Sequence, residues 1–299
     1  MGFEIVIPTI GRPSLHELLR SLARASGPLP DRIFIVDDRR DPGEALQFDE
    51  IAAALRERIT VLRGKAAGPA SARNVGWRAA SAQFIAFLDD DVVVEPDWLE
   101  RAAHDIATLP ESAAGSQGHV QVPLPVDRPP TDWERNVAGL ASSAWITADM
   151  IYRRSVLEQL NGFDERFKRA YREDADFALR VFDAGYRIDR GTRGIDHPVR
   201  PADAWISVRL QAGNADDALM TAIHGRDWRA RAGAPPGRWP LHVATVVCFA
   251  AWAALTADFA WRRIAQGPRT PSEIRTMLLT SAVIPFAAVY HRVRGALLQ

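Results

Sequence analysis

The chain is predicted to be an α/β protein: a doubly wound, mostly parallel sheet flanked by helices, with an apolar helical extension at the C-terminal end. Three observations predict it. Short β-branched runs alternate with helical stretches over roughly the first 110 residues. Those runs are continuously apolar, as parallel strands covered on both faces require. Two long apolar stretches then close the sequence, at 241–257 and 277–290.

The first strand is expected at 3–8 (FEIVIP) and the second at 32–36 (RIFIV). Between them, Ser14 to Ala25 carries leucines at 15, 18, 19 and 22, which is helical spacing, with Pro13-Ser14 as a start signal. Strand, helix and parallel strand make a right-handed unit whose loops gather at the strands' C-terminal edge. The alternation continues with a strand at 59–62, a helix at 69–80, a strand at 84–88 and a helix at 96–107 opened by Pro96. Ligands of such sheets bind in the crevice at the carboxyl ends of the strands. From 110 to 150 the pattern loosens, and Pro123, Pro125, Pro129 and Pro130 argue for extended or loop structure. Helices follow at 153–160 and 174–184, the latter stopped by Gly185.

Composition excludes several classes. The 299 residues hold 37 basic and 37 acidic side chains, a balance that argues against a general nucleic-acid binder. The single cysteine, Cys248, rules out an internal disulfide and a cysteine-rich zinc site, and fits a reducing compartment. Met1-Gly2-Phe3-Glu4 runs straight into a strand without the basic and apolar regions of a secretory signal, so a cytoplasmic catalytic domain is expected. The stretches 241–257 and 277–290 leave two readings open, buried core helices or helices that lie on or span a membrane, with Arg262, Arg263, Arg292 and Arg294 flanking them.

The chemistry gathers at the strand ends. The first strand ends at Pro8-Thr9, the second at Asp37-Asp38 and the fourth at Asp89-Asp90-Asp91. Five carboxylates around one crevice repel one another unless a cation compensates, and a hard divalent ion with oxygen ligands is the natural candidate. No G-x-G-x-x-G, no P-loop, no H-E-x-x-H and no G-x-S-x-G redirects the chemistry. Each group also has a plainer reading. Asp37 and Asp38 can be turn residues, Glu173 and Asp174 can cap their helix, Arg73 can be a surface charge, and His197 can be a loop histidine.

The motifs together resemble a family 2 (GT-A) glycosyltransferase over roughly residues 3–225. The matching stretches are IVIPTIGRP at 5–13, IVDD at 35–38, GPASARNVGWRAA at 68–80, FLDDDVVVEPDWL at 87–99, NGFDERF at 161–167 and REDADFALRVFDAGYRI at 172–188. The resemblance implies that Pro8, Thr9 and Arg12 lie beside the nucleotide and that Asp37 and Asp38 face its base or ribose. It implies that Arg73 and Asn74 contact the nucleotide or its diphosphate, with Asp89 and Asp90 on the ribose side. Asp91 and His197 would ligate Mn²⁺ or Mg²⁺. Asp174, paired with Glu173, would be the general base of an inverting transfer.

The implied partners are a UDP-, GDP- or dTDP-linked sugar donor and a glycan or lipid-linked acceptor, with no nucleic acid and with membrane surface contact through 241–290. The organisation expected is a catalytic domain at 1–225 (nucleotide half 1–110, acceptor half 111–225), a linker at 226–240 and an apolar helical tail at 241–299. Asn161 and Asp149 depart from the family pattern, at positions expected on the acceptor side. Trp133, Trp145 and Trp205 fall in the same half, as core residues or sugar-stacking faces. A catalytically silent relative and a sugar-phosphate nucleotidyltransferase are the rival readings.

Overall fold

The computed structural model describes residues 2–298, so the outer ends of the expected domains, residues 1 and 299, lie outside the described residues. In chain order the elements are β1 (Phe3–Thr9), α1 (Ser14–Arg24), β2 (Arg32–Asp37), α2 (Ala53–Arg56), β3 (Ile59–Arg63), α3 (Pro69–Ala79) and β4 (Phe84–Leu88). There follow β5 (Val93–Val94), α4 (Trp98–Thr108), β6 (Ala113–Gln121), α5 (Asp132–Ala138), β7 (Asp149–Arg153), α6 (Arg154–Gln159), α7 (Glu173–Asp183) and β8 (Arg187–Asp196). The last are α8 (Ile206–Arg209), α9 (Asn214–His224), α10 (Trp228–Arg231), α11 (Trp239–Val247), α12 (Phe249–Ala265) and α13 (Pro271–Leu297).

Two compact units result. The first comprises Met1–Val122 and Ala141–Pro198, the second Pro123–Leu140 and Val199–Gln299. These borders differ from the expected division at residue 225. Helices α8 and α9 pack on α13, and Asp132 in α5 pairs with Arg263 in α12 at 2.7 Å, so these segments join the C-terminal helices.

In the first unit the strands form one sheet in the order β3-β2-β1-β4-β7-β6-β8-β5. β3, β2, β1 and β4 are mutually parallel, as the apolar runs predict, and β6 and β8 are parallel to each other. β7 runs antiparallel to both β4 and β6, and the short β5 antiparallel to β8. The chain reverses its direction across the sheet between β1 and β4, which sets the ligand crevice at their C-terminal ends. Ile5, Ile7, Ile33, Ile35, Phe87 and Leu88 are among the strand residues sealed in the core.

Within the stretch 110–150, expected to be extended or loop, residues 113–121 take the extended alternative as β6. Its sequence, AAGSQGHVQ, has few apolar residues to mark a strand, yet most of it is buried, with Gln117 and Ser116 facing protein partners. One of those partners is Arg193 of β8, a fully buried arginine held by Asp149 at 2.7 Å and by Asp105 at 2.9 Å, with Trp98 donating to Asp149 at 3.0 Å. Asp149, expected on the acceptor side, is therefore a core residue whose carboxylate balances a buried guanidinium.

The second unit also corrects three expectations. Residues 226–240 are not a bare linker: α10 lies there, and Trp228 is 1% exposed with its indole donating to Thr221. The apolar run 241–257 is not one helix, because the backbone breaks at Cys248 between α11 and α12. The run 277–290 is the middle of the 27-residue α13, capped by Thr270 and started by Pro271. Among the described residues α13 is the one helix long and apolar enough to cross a membrane, and a third of its most apolar window is buried within the protein.

Candidate active site

The site is built at the ends of β1, β2 and β4 and at the start of α7. Thr9 closes β1, in register with Asp37 of β2. Its hydroxyl donates to Asp90 at 2.6 Å, and Arg12 reaches the other oxygen of Asp90 at 2.6 Å. Asp90 is thus consumed in tying the first loop to the fourth strand end. Its neighbours in the turn after β4 face other groups, Asp89 towards Arg73 and Asp91 towards His197.

The two aspartates after β2 are not equivalent. Asp37 is gripped by Arg39 through two side-chain hydrogen bonds, of 2.9 and 2.7 Å, which hold its carboxyl below the usual carboxylate range. Asp38 accepts the Gly68 amide on one oxygen at 2.8 Å, while its other oxygen is buried without a hydrogen-bond partner. Of the pair, Asp38 is the one with capacity left for a ligand. Pro8 sits within β1 opposite Val36, and no interaction ties it to the polar cluster.

Arg73 and Asn74 lie side by side on α3 and are both buried, against the surface-charge reading of Arg73. Arg73 is 2% exposed and bridges two acids, donating to Glu173 at 2.7 Å and to Asp89 at 2.8 Å. Asn74 makes its bonds inside the protein. Its amide nitrogen donates to the Phe163 carbonyl at 2.8 Å and to Glu165 at 3.1 Å, and its oxygen accepts from Trp77 and from the Phe163 amide. The nucleotide contact that the resemblance implies for Asn74 is not what this geometry offers. Asn74 instead clamps the 161–165 turn, where Glu165, overlooked in the sequence, also accepts from Ser71 at 3.0 Å.

That turn explains the Asn161-Gly162 departure. Both residues have positive φ, 56° and 66°, and a Cβ at Gly162 would stand 2.3 Å from the Asn74 oxygen. Gly162→Ala is expected to cost roughly 2 kcal/mol or more, from backbone strain and a broken clamp. A urea-unfolding midpoint equal to that of the wild type would contradict this.

Glu173 and Asp174 open α7 immediately after Arg172, whose φ of 77° places a non-glycine residue in the left-handed region. Such strain is held in place by the surrounding structure and recurs at functional sites. Glu173 is buried, with one oxygen on Arg73 and the other without a partner. Burial first, and then the Asp174 charge, push its carboxyl up to about 7. The Asp174 carboxyl, partly reached by solvent, is raised as well, mainly by its removal from water, against the pull of the Ala175 amide donating to it at 2.7 Å. Beside them Tyr152 of β7 buries a hydroxyl that has no hydrogen-bond partner, a group that strand periodicity does not signal.

Asp89, Asp91 and His197 converge at the front of the crevice. Each offers a ligand atom, and these atoms lie within 4.8 Å of one another. His197 follows β8 and is fixed by its amide donating to the Gln121 carbonyl at 2.7 Å. Its Nε2 lies 3.6 Å from an Asp91 oxygen, beyond hydrogen-bond range, and its Nδ1 is buried without a partner. Two carboxylates and an imidazole gathered this closely are a ligand set compatible with a divalent ion.

Of the tryptophans expected on the acceptor side, Trp145 packs edge-on against Phe182 in the first unit. In the second unit Trp133 donates to the Arg200 carbonyl at 2.6 Å and Trp205 is exposed.

Sequence comparison agrees with this architecture. The model of glycosyl transferase family 2 matches residues 4–176, and the chain belongs to that family. Membership of that family sets aside the nucleotidyltransferase rival. The chain is 29% identical over 203 residues to the pre-mycofactocin glycosyltransferase of Mycobacterium tuberculosis, covering 62% of this chain and 40% of that protein. It therefore spans less than half the length of that relative. It is 27% identical over 289 residues to the succinoglycan biosynthesis protein ExoM of Rhizobium meliloti, covering 88% of this chain and 90% of ExoM. Among solved structures, Staphylococcus aureus TarS 1-349 in complex with UDP-GlcNAc shares the fold, with a TM-score of 0.53 at 18% identity over 98% of this chain and 92% of that one.

Proposed function

We propose that this glycosyltransferase is an inverting, metal-assisted enzyme that moves a sugar from a nucleotide-diphosphate donor, UDP-, GDP- or dTDP-linked, to a hydroxyl of a glycan or lipid-linked acceptor. One observation carries the reading: a three-ligand cation site and a buried acid pair are joined through a single arginine, as Asp89–Arg73–Glu173.

The geometry supports a role for each residue. Asp38 accepts a hydrogen bond from the base or ribose with its unpartnered oxygen, beside the Thr9–Arg12–Asp90 tie that shapes the first loop. Asp89, Asp91 and His197 hold Mn²⁺ or Mg²⁺, and the imidazole favours Mn²⁺. The ion supplies charge neutralisation for the leaving diphosphate, so no protein acid is needed on that side. Asp174 takes the proton of the acceptor hydroxyl as its oxygen bonds to the anomeric carbon and the bond from that carbon to the diphosphate breaks. Burial raises its carboxyl, which makes it a stronger base than an ordinary carboxylate. Glu173, held by Arg73, fixes the start of α7 so that Asp174 stays at the mouth of the site.

We place the enzyme in the cytoplasm, with residues 241–290 contacting the inner face of the cell membrane. The free, exposed Cys248 is compatible with a reducing compartment.

Calorimetric titration of a panel of nucleoside diphosphates, with and without Mn²⁺, tests the donor site. One nucleotide is expected to bind only with metal, and Asp91→Ala to weaken it by about tenfold or more. Absence of binding by every nucleotide under both conditions would sink the proposal and leave a silent relative.

A further inference from the structure

One face of α13 is left largely open among the described residues. Leu279, Val283, Phe286, Tyr290, Val293 and Leu297 are 37% to 80% exposed. Their spacing of four, three, four, three and four residues puts them on one stripe, an arc of about 80° running about 27 Å along the helix. The opposite face, with Met277, Thr280, Ser281, Ile284 and Ala288, is buried against the neighbouring helices. Arg263 locks that face in place by donating to Thr280 at 2.8 Å and Ser281 at 3.0 Å while pairing with Asp132.

Charge is distributed to match. The whole chain is neutral, yet residues 199–299 hold twelve arginines and no lysine against six acidic side chains, a surplus of six positive charges. Arg275 and Arg294 are exposed near the two ends of the stripe, and Arg262 and Arg269 are exposed elsewhere in the same unit.

We propose that α13 lies flat on an anionic lipid surface, with this stripe inserted among the acyl chains and the surrounding arginines on the headgroups. The proposal rests on the reading of residues 241–290 as a membrane-contacting segment and is independent of the donor site. Three considerations select this occupant. A helix apolar on every side is covered on every side, so the stripe needs an apolar environment. A spanning orientation would strip α13 of its buried polar lock, Arg263–Asp132 included, and leave those groups in hydrocarbon. A second copy is poorly served, because six half-exposed side chains offer on the order of 600 Å², below the roughly 800 Å² per partner of a specific interface. Aromatic and aliphatic residues on one face with arginines beside them are what an interfacial helix uses.

The full chain, mixed with sucrose-loaded vesicles of phosphatidylcholine alone or with about a third phosphatidylglycerol, decides the matter by co-sedimentation. Binding is expected only to the anionic vesicles, to weaken with added salt, and to fall roughly tenfold in Phe286→Asp and in Tyr290→Glu. Both positions are exposed, so both variants should keep the wild-type melting temperature and nucleotide binding. The charge-reversed Arg275→Glu should lower binding to anionic vesicles while leaving the stripe intact. Equal binding to both vesicle types, no binding to either, or folded stripe variants that bind as wild type would each overturn the proposal. So would a dimer in solution that the stripe variants dissociate, which would assign the face to a second copy. Nucleotide binding measured on the same samples reports the donor-site reading separately.

Discussion

Replacing Asp174 by asparagine is expected to lower kcat by about 10²–10⁴-fold, the range over which positioned proton transfer contributes to catalysis. The substitution keeps the shape and the acceptor oxygen that meets the Ala175 amide, so α7 keeps its start. Nucleotide binding and the donor KM should change little, because the carboxylate acts on the acceptor hydroxyl and not on the diphosphate. Steady-state kinetics over a range of donor and acceptor concentrations separate these terms. A variant that keeps more than about a third of the wild-type kcat would remove Asp174 from the base role. One that loses nucleotide binding in parallel would move it to the donor side.

The second large effect falls on stability. Arg73→Met removes the only cation that Glu173 touches among the described residues and leaves a buried carboxyl facing Asp89 and Asp174. Breaking one side of a buried pair typically costs about 3–5 kcal/mol. The cost should depend on pH in a definite direction. In the wild type Glu173 titrates at about 7 when folded, against an ordinary value of 4.5. The folded state therefore holds this proton more tightly, and the site's contribution to stability falls as pH rises from about 4.5 to about 7. Without Arg73 the folded carboxyl rises further, and the declining window extends above neutrality. The variant should be least impaired near pH 5 and most impaired near pH 8.5, as read by urea midpoints across that range. A deficit that does not vary with pH would mean that Glu173 is not the group Arg73 serves. Arg73→Lys restores the charge but reaches two acids less well with a single ammonium, so partial recovery is expected.

Half of the fold was legible because of how it is buried. β1, β2, β3 and β4 belong to a parallel layer, and their continuous apolar runs with turn-forming ends announce them. β6 and β8 escape that signal because they bury polar and charged side chains: Gln117 and Ser116 in one, Arg193 in the other. A strand that holds an arginine against two aspartates looks like a solvated loop until its partners, 44 and 88 residues away, are known. The second unit was misread for a related reason. Trp228 and α10 depend on contacts with α9, and no local pattern reveals them.

The site divides in the same way. Sequence motifs marked Thr9, Asp38, Asp89, Asp90 and Asp91 at the strand ends, and β1 ends at Thr9, β2 just before Asp38 and β4 just before Asp89. Motifs do not say which way a side chain points. Arg73 turned out to bridge two acids and Asn74 to clamp a turn, and Asp37 is consumed by Arg39 two residues on. The plainer reading of Asp37 as a turn residue describes it better than a ligand role does. For His197 the loop reading omits the Nε2 that lies 3.6 Å from an Asp91 oxygen and the buried Nδ1 that has no partner.

The divided second unit carries a consequence for biogenesis. Asp132 leaves the ribosome long before Arg263, its partner 131 positions later. At roughly 10 residues per second, the segment 123–140 waits on the order of ten seconds for the helices it joins. The first unit is complete at Pro198 and can assemble around this unpaired excursion while the remaining hundred or so residues are still being made. The last of these helices to emerge, α13, is also the one with an apolar stripe left over. The nascent protein is therefore most prone to self-association once that stripe appears, and a nearby lipid surface at that moment would act as its chaperone.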